Sequence, residues 1–220
     1  MTPAAPGSTL LDLVAVMDRL RSPGGCPWDA QQTHVSLLPY LVEESYEVVD
    51  AVENGTREEL RDELGDLLLQ VVFHARVAQE DTEQPFDIDD VAAALVAKLE
   101  RRHPHVFAGE AVAEDLQAGW DAIKATEKRR NSVLDGIPLQ LPALARADKV
   151  LGRLQRNGLD ASADPEEGLT EERVGAELLA LVRRARAAGV DPEAALRGAT
   201  RALEVDARWA EAASGPVSDR

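Results

Sequence analysis

Glu43-Glu44-Ser45-Tyr46-Glu47, then Asn54-Gly55-Thr56-Arg57-Glu58-Glu59, then Glu63-Leu64-Gly65-Asp66 make up the stretch that decides the fold. Its acidic segments lie in apolar sequence of helical period. Glu44 and Glu47 are three residues apart, as are Glu63 and Asp66, so each pair projects from one side of its own helix. Asn54-Gly55 reads as a helix stop and turn. Thr56 with Glu59 reads as a capping box that opens the next helix. Two antiparallel helices joined this way can face both carboxylate pairs toward one point. Carboxylates converging without a cation repel one another. A hard divalent metal, foremost Mg²⁺, is their natural complement.

Charged residues on helices most often form a solvated face. The second helix argues against that here. Leu60, Leu64, Leu67, Leu68, Val71, Val72 and Ala75 spread a wide apolar surface, and Glu63, Asp66, Gln70 and His74 form a narrow polar stripe beside it. Asp66 directly precedes Leu67-Leu68-Leu69, so it is expected to be partly buried and to need a partner. On the first helix Leu38, Val42, Ser45, Val49 and Val52 form a seam expected to face the core.

The rest of the chain is consistent with an all-α protein. It has 220 residues, enough for one or two domains, and only 4% aromatics. No run shows the β-branched alternation of strands. A formal net charge of −16 repels nucleic-acid polymers, which are poor partner candidates. The single cysteine, Cys26, excludes an intrachain disulfide and a cysteine-based metal cluster. The N-terminus lacks a basic leader and no segment approaches a membrane span, so a cytoplasmic protein without a membrane partner is expected.

The helices are expected as follows. Ser8 or Thr9 caps a first helix to about Leu20, and Ser22 to Asp29 is a loop. A second helix runs over 36–53 with Pro39 in its first turn, and a third over 56–79. Asp87 opens a fourth helix that Pro104 terminates, and a fifth covers 113–129. Residues 131–142, with two prolines and a glycine, read as a linker before a helix to about Gln155. Thr170 caps a helix ending at Gly189, and Asp191-Pro192 starts the last one.

These residues resemble the MazG family of nucleoside triphosphate pyrophosphohydrolases. The resemblance runs through Gly25-Cys26-Pro27-Trp28-Asp29 and Gln32-Thr33, the two acidic motifs, Gln70-Val71-Val72-Phe73, and Lys98-Leu99-Glu100-Arg101-Arg102-His103-Pro104-His105-Val106-Phe107. It continues in Trp120 with Lys124, Ile137-Pro138 and Leu141-Pro142-Ala143-Leu144. It implies an all-α fold, a homodimer whose helices form a four-helix core, and hydrolysis of NTP to NMP and pyrophosphate with Mg²⁺, Mn²⁺ being the substitute ion. Carried over residue by residue, Glu44, Glu47, Glu63 and Asp66 match the family's metal ligands. Glu43 matches a flanking acidic position whose role stays open between ligand, support for the ligands, and activation of water; Glu44 is the other candidate base.

The resemblance divides the chain into a catalytic domain over 8–130, a linker and connecting helix over 131–160, a degenerate second segment over 161–212 and a disordered tail over 213–220. In the second segment Arg173 stands where Glu63 does and Ala176 where Asp66 does. That segment is expected to hold no metal.

The remaining candidates bind substrate. Lys98, Arg101 and Arg102 close the fourth helix, where cations favour the negative end of the dipole; in an acidic chain they are also a local patch for phosphates. Trp120 and Lys124 can share a helix face, with Trp120 stacking on the base or packing in the core. Trp28, in its loop, can stack on a nucleobase or pack on Pro27. His74 is expected to be a satisfied histidine at the core edge. A regulatory or scaffold protein that retains nucleotide binding is the competing reading. A di-iron carboxylate bundle is disfavoured, because neither acidic motif contains an E-x-x-H pair.

Overall fold

The computed structural model describes residues 7–109, 132–160, 166 and 168–214. Among the described residues there are helices and no strands. These are α1 (Ser8–Arg21), α2 (Pro27–Gln31), α3 (His34–Asn54), α4 (Arg57–Ala78), α5 (Ile88–Arg102), α6 (Pro104–Phe107), α7 (Ala143–Arg156), α8 (Glu171–Ala187) and α9 (Pro192–Ser214). The all-α expectation holds. The chain divides into two compact units, residues 1–116 and 117–220.

In the first unit α3 and α4 form an antiparallel hairpin, and both begin with reciprocal caps. Thr33 Oγ1 accepts from the Ser36 amide (3.2 Å) while Ser36 Oγ accepts from the Thr33 amide (2.9 Å). Thr56 Oγ1 accepts from the Glu59 amide (3.2 Å) while Glu59 Oε2 accepts from the Thr56 amide (2.6 Å). Each pair satisfies two amides that a helix start would leave unpaired. Because Thr33 is the cap, α3 starts at His34 rather than Ser36, and Pro39 lies inside the helix instead of in its first turn. Gly55 is needed at the turn for space: a Cβ there would lie 2.8 Å from both Cα and the carbonyl oxygen of Ala51.

Three local readings change. The first helix is capped by Gly7 in the left-handed region, with no side-chain cap from Ser8 or Thr9. The expected loop over 22–29 contains the start of α2, so Trp28 stands on a short helix. Gly25 packs against the end of α1 so closely that a Cβ would meet the Leu20 and Arg19 carbonyl oxygens. α5 stops before Pro104 as expected, and Pro104 opens a further turn, α6.

The core of this unit is Met17 from α1, Leu37 from α3 and Val72 with Phe73 from α4, lined by Leu13, Val14, Leu69, Val77 and Ile88. The seam expected to face the core does not. Leu38, Val42, Val49 and Val52 are 50–64% exposed, and Ser45 is exposed and donates to the Leu41 carbonyl. Leu64, Leu68 and Val71 of α4 are exposed as well. The reason is geometric. α1 and α2 cover the flank of the hairpin that carries Leu37, Val72 and Phe73, and no described helix of this unit covers the other apolar flank.

In the second unit Leu134 and Ile137 pack with Val150 and Leu154 of α7 and Ala207 of α9. Residues read as a linker thus supply core side chains. Arg146, 2% exposed, donates to the Pro138 carbonyl (2.7 Å) and to Glu204 (2.8 Å). Thr170 caps α8 as expected, and Gly189 takes a positive φ just past its end. Asp191 Oδ1 accepts from the amides of Glu193 and Ala194 at the start of α9. The helix expected over 113–129, with Trp120 and Lys124, lies outside the described residues, as does most of the expected tail. No helix among the described residues is long and apolar enough to cross a membrane.

Candidate metal centre

The hairpin brings its acidic motifs together. One carboxylate oxygen each from Glu44 on α3 and from Glu63 and Asp66 on α4 lie within 4.8 Å of one another. Glu47, one turn along α3, hydrogen-bonds the Glu44 carboxyl. Glu43 is exposed and stands outside this group. Asp66 is exposed, against the expectation of partial burial; of the leucines that follow it, Leu69 packs on the core while Leu68 is exposed.

The electrostatics record the crowding. The Glu44 carboxyl is raised above the ordinary range by partial burial first, then by its bond to Glu47 and the charges of Asp66, Glu47 and Glu63. Glu63 is raised by desolvation, then by Glu47, Asp66, Asp62 and Glu59. Among the described residues no lysine, arginine or histidine forms an ion pair with any of the four. Carboxylate oxygens from two helices, converging without a cation, are a donor set suited to a hard divalent ion.

The other sequence-derived residues are placed as follows. Lys98, Arg101 and Arg102 lie in the last two turns of α5, where the helix dipole favours cations. Trp28 is 50% exposed, and its ring meets Tyr40 edge-on at 5.9 Å and Phe73 at 6.4 Å, rather than packing only on Pro27. Trp120 and Lys124 fall outside the described residues. His74 continues the polar stripe of α4, but it is not fully satisfied. Its Nδ1 lies 2.8 Å from His34 Nδ1, while its Nε2 is buried without a partner, as is Gln70 Oε1. Burial, then the charge of His34, holds the His74 pKa below its usual value. In the second unit Arg173 pairs with Glu166 (2.6 Å) and Glu177 (3.0 Å), and no metal-binding group occurs there among the described residues.

Sequence reasoning missed His34 and Arg21. Arg21 bonds Glu80, 59 residues away, and no local pattern announces such a pair. His34 had one signal, its place at the first position of a helix running antiparallel to the stripe that carries His74.

Residues 32–107, which carry both acidic motifs, match the model of the MazG nucleotide pyrophosphohydrolase domain. A nucleoside triphosphate pyrophosphohydrolase of Escherichia coli K12 is 41% identical to the chain, the alignment covering 87% of this chain and 83% of that protein. The chain belongs to the MazG family. An uncharacterized 26.1 kDa protein from the blaB 3′ region of Streptomyces cacaoi is 54% identical over 94% of this chain and 84% of its own length. A nucleoside triphosphate pyrophosphohydrolase of Mycobacterium tuberculosis is 49% identical over 94% of this chain, which spans 63% of that relative's length. All three alignments extend well beyond the matched MazG domain.

Proposed function

We propose that this MazG protein hydrolyses nucleoside triphosphates to nucleoside monophosphate and pyrophosphate, with Mg²⁺ held by Glu44, Glu47, Glu63 and Asp66, in housecleaning of the cytoplasmic nucleotide pool. The observation that carries the reading is the meeting of Glu44, Glu63 and Asp66 within 4.8 Å, with no cation paired to them among the described residues. A bound Mg²⁺ supplies neutralisation of the triphosphate and an acidified water. The chain's own residues supply the rest. Glu44 and Glu47 fix the ligand oxygens from α3, and Glu63 and Asp66 fix theirs from α4. Glu43 or Glu44 takes a proton from water, a carboxylate being the base type the motif offers. Lys98, Arg101, Arg102 and Lys124 bind the phosphates, and Trp28 and Trp120 stack on the base.

A homodimer belongs to the same reading. Leu38, Val42, Val49 and Val52 of α3, with Leu64, Leu68 and Val71 of α4, leave an apolar flank in water that a second hairpin would cover as a four-helix core.

The test is pyrophosphate release from a panel of ordinary and modified NTPs with Mg²⁺, with Mn²⁺ as the second ion, and chromatography of the products. NMP and pyrophosphate are expected. Formation of NDP and phosphate, or binding of nucleotide with no turnover, would overturn the hydrolytic reading; the latter would favour the nucleotide-binding scaffold.

A further inference from the structure

Trp28 is held by an apparatus out of proportion to a surface side chain. α1 ends at Arg21, whose side chain is only 5% exposed. Its Nε and Nη2 donate to the two carboxylate oxygens of Glu80, just beyond α4, at 2.8 and 2.9 Å. Its Nη1 donates to the carbonyl of Asp29, the residue after Trp28, at 2.6 Å. The carbonyl of Trp28 itself accepts from Gln32 Nε2 at 2.9 Å, and Gln32 Oε1 accepts from Ser36 Oγ at 2.7 Å. The guanidinium carbon stands 5.9 Å from the Phe73 ring centroid, and Phe73 meets the Trp28 ring edge-on. Both carbonyls of the Trp28-Asp29 pair are thereby pinned, one by α1 and one by the start of α3. The indole lies against Tyr40 of α3 and Phe73 of α4 and remains half exposed.

Burying a guanidinium beside a half-exposed carboxylate is a weak source of stability, since desolvation offsets most of the attraction. An apolar side chain of the same length would fill the space. What it could not do is hold the short α2 at a fixed distance from the end of α4, which takes the planar fork of an arginine. A helix of five residues has little rigidity of its own.

We propose that Arg21, through Glu80 and the Asp29 carbonyl, is a positioning residue for the nucleotide. It fixes the exposed indole of Trp28 in the attitude that receives the base, and so sets nucleotide affinity without touching the nucleotide. The proposal rests on the reading of Trp28 as a base-stacking residue. It assigns Arg21 an effect on binding and none on the chemical step.

The experiment measures equilibrium affinity for an NTP analogue uncleavable between the α- and β-phosphates, in the presence of Mg²⁺, beside pyrophosphate release from the natural NTP. Arg21→Met should weaken analogue binding about tenfold and leave kcat at saturating NTP within about twofold. Trp28→Ala should weaken binding at least as much. The double variant should be no weaker than Trp28→Ala alone, because Arg21 acts only through the indole. Arg21→Lys, which keeps the charge and loses the fork, should fall between wild type and Arg21→Met. Glu80→Gln keeps the shape of the partner and serves if Arg21→Met does not fold; it should show the same non-additivity with Trp28→Ala. Losses that multiply in the double variant would overturn the proposal, as would a kcat that falls in step with affinity, or unchanged affinity in Arg21→Met. If Trp28→Ala binds like wild type, the stacking role fails and the proposal fails with it. A wild type that binds the analogue but releases no pyrophosphate overturns only the hydrolytic reading, and the affinity series still decides the role of Arg21.

Discussion

At the scale of single residues, the carboxylates of the hairpin carry the chemistry in the proposed function and bear an electrostatic cost. Glu44 and Glu63 are held above the ordinary carboxylate range by partial desolvation and by their neighbours' charges. Asp66→Asn should therefore raise the melting temperature of the metal-free protein by relieving repulsion, and should gain less from Mg²⁺ than wild type. A metal bound only by the folded state adds about 2.7 kcal/mol at a hundredfold excess over Kd. NaCl matched in ionic strength controls for screening of the net charge; equal shifts in both proteins would make these carboxylates a solvated acidic face. Glu47→Ala and Asp66→Ala should each nearly abolish pyrophosphate release with helicity unchanged by circular dichroism, and retention of most activity in both would remove the site.

His74 adds a pH dependence of its own. Its folded pKa lies below the usual 6.5, first through burial and then through His34. The unfolded chain therefore binds that proton more readily than the folded one. The contribution of His74 is complete above about pH 6.5 and is lost as pH falls through its lower folded value. Glu59, Glu80 and Asp81 are depressed as carboxylates and lose their contributions only at still lower pH, below about 4.5. Denaturation midpoints should therefore decline as pH falls below about 6.5 in wild type and stay flatter in His74→Phe. Parallel profiles would show that some other group titrates there.

At the scale of elements, the capping boxes are the clearest case of sequence dictating structure. Thr56 and Glu59 are three residues apart and satisfy each other's amides. Thr56→Ala should cost about 1 kcal/mol, read as a lower denaturation midpoint with unchanged slope. A loss well under half of that would mean that packing of α4 sets its start. The start of α4, the turn at Asn54-Gly55 and the joining of Glu44 to Asp66 were legible because their causes lie within a few residues, whereas the caps of α1 and α3 were placed on the wrong residues. α2 was not, because its anchors are Arg21 on one side and Ser36 on the other, and Arg21 is itself fixed from Glu80. The orientation of the α3 seam was misjudged for a related reason. Periodicity shows that Leu38, Val42, Val49 and Val52 share a face, and it cannot say whether that face meets the same chain or another. The placing of Leu134 and Ile137 in a core escaped notice because prolines and a glycine around them resemble the composition of a linker.

At the scale of the whole molecule, the exposed flank of the hairpin makes the quaternary expectation concrete. Val49→Asp puts a charge in the middle of that flank while leaving the core of Met17, Leu37, Val72 and Phe73 untouched. It should turn a dimer into a monomer in sedimentation velocity with helicity retained. A wild type that sediments as a monomer, or a Val49→Asp protein that stays dimeric, would place the interface elsewhere.

The two-residue turn at Gly55 and Thr56 has a consequence in time as well as in space. Bringing Glu44 to Asp66 requires closing only this one short hairpin, and contacts so near in sequence form fast because little loop entropy is spent. During synthesis from the N-terminus the hairpin is complete before any of α7 to α9 exists. Its carboxylates therefore confront one another while the chain is still growing. On the proposed metal reading, a divalent ion available at that moment would hold the two helices of the hairpin together, and its scarcity would slow the closing of the hairpin.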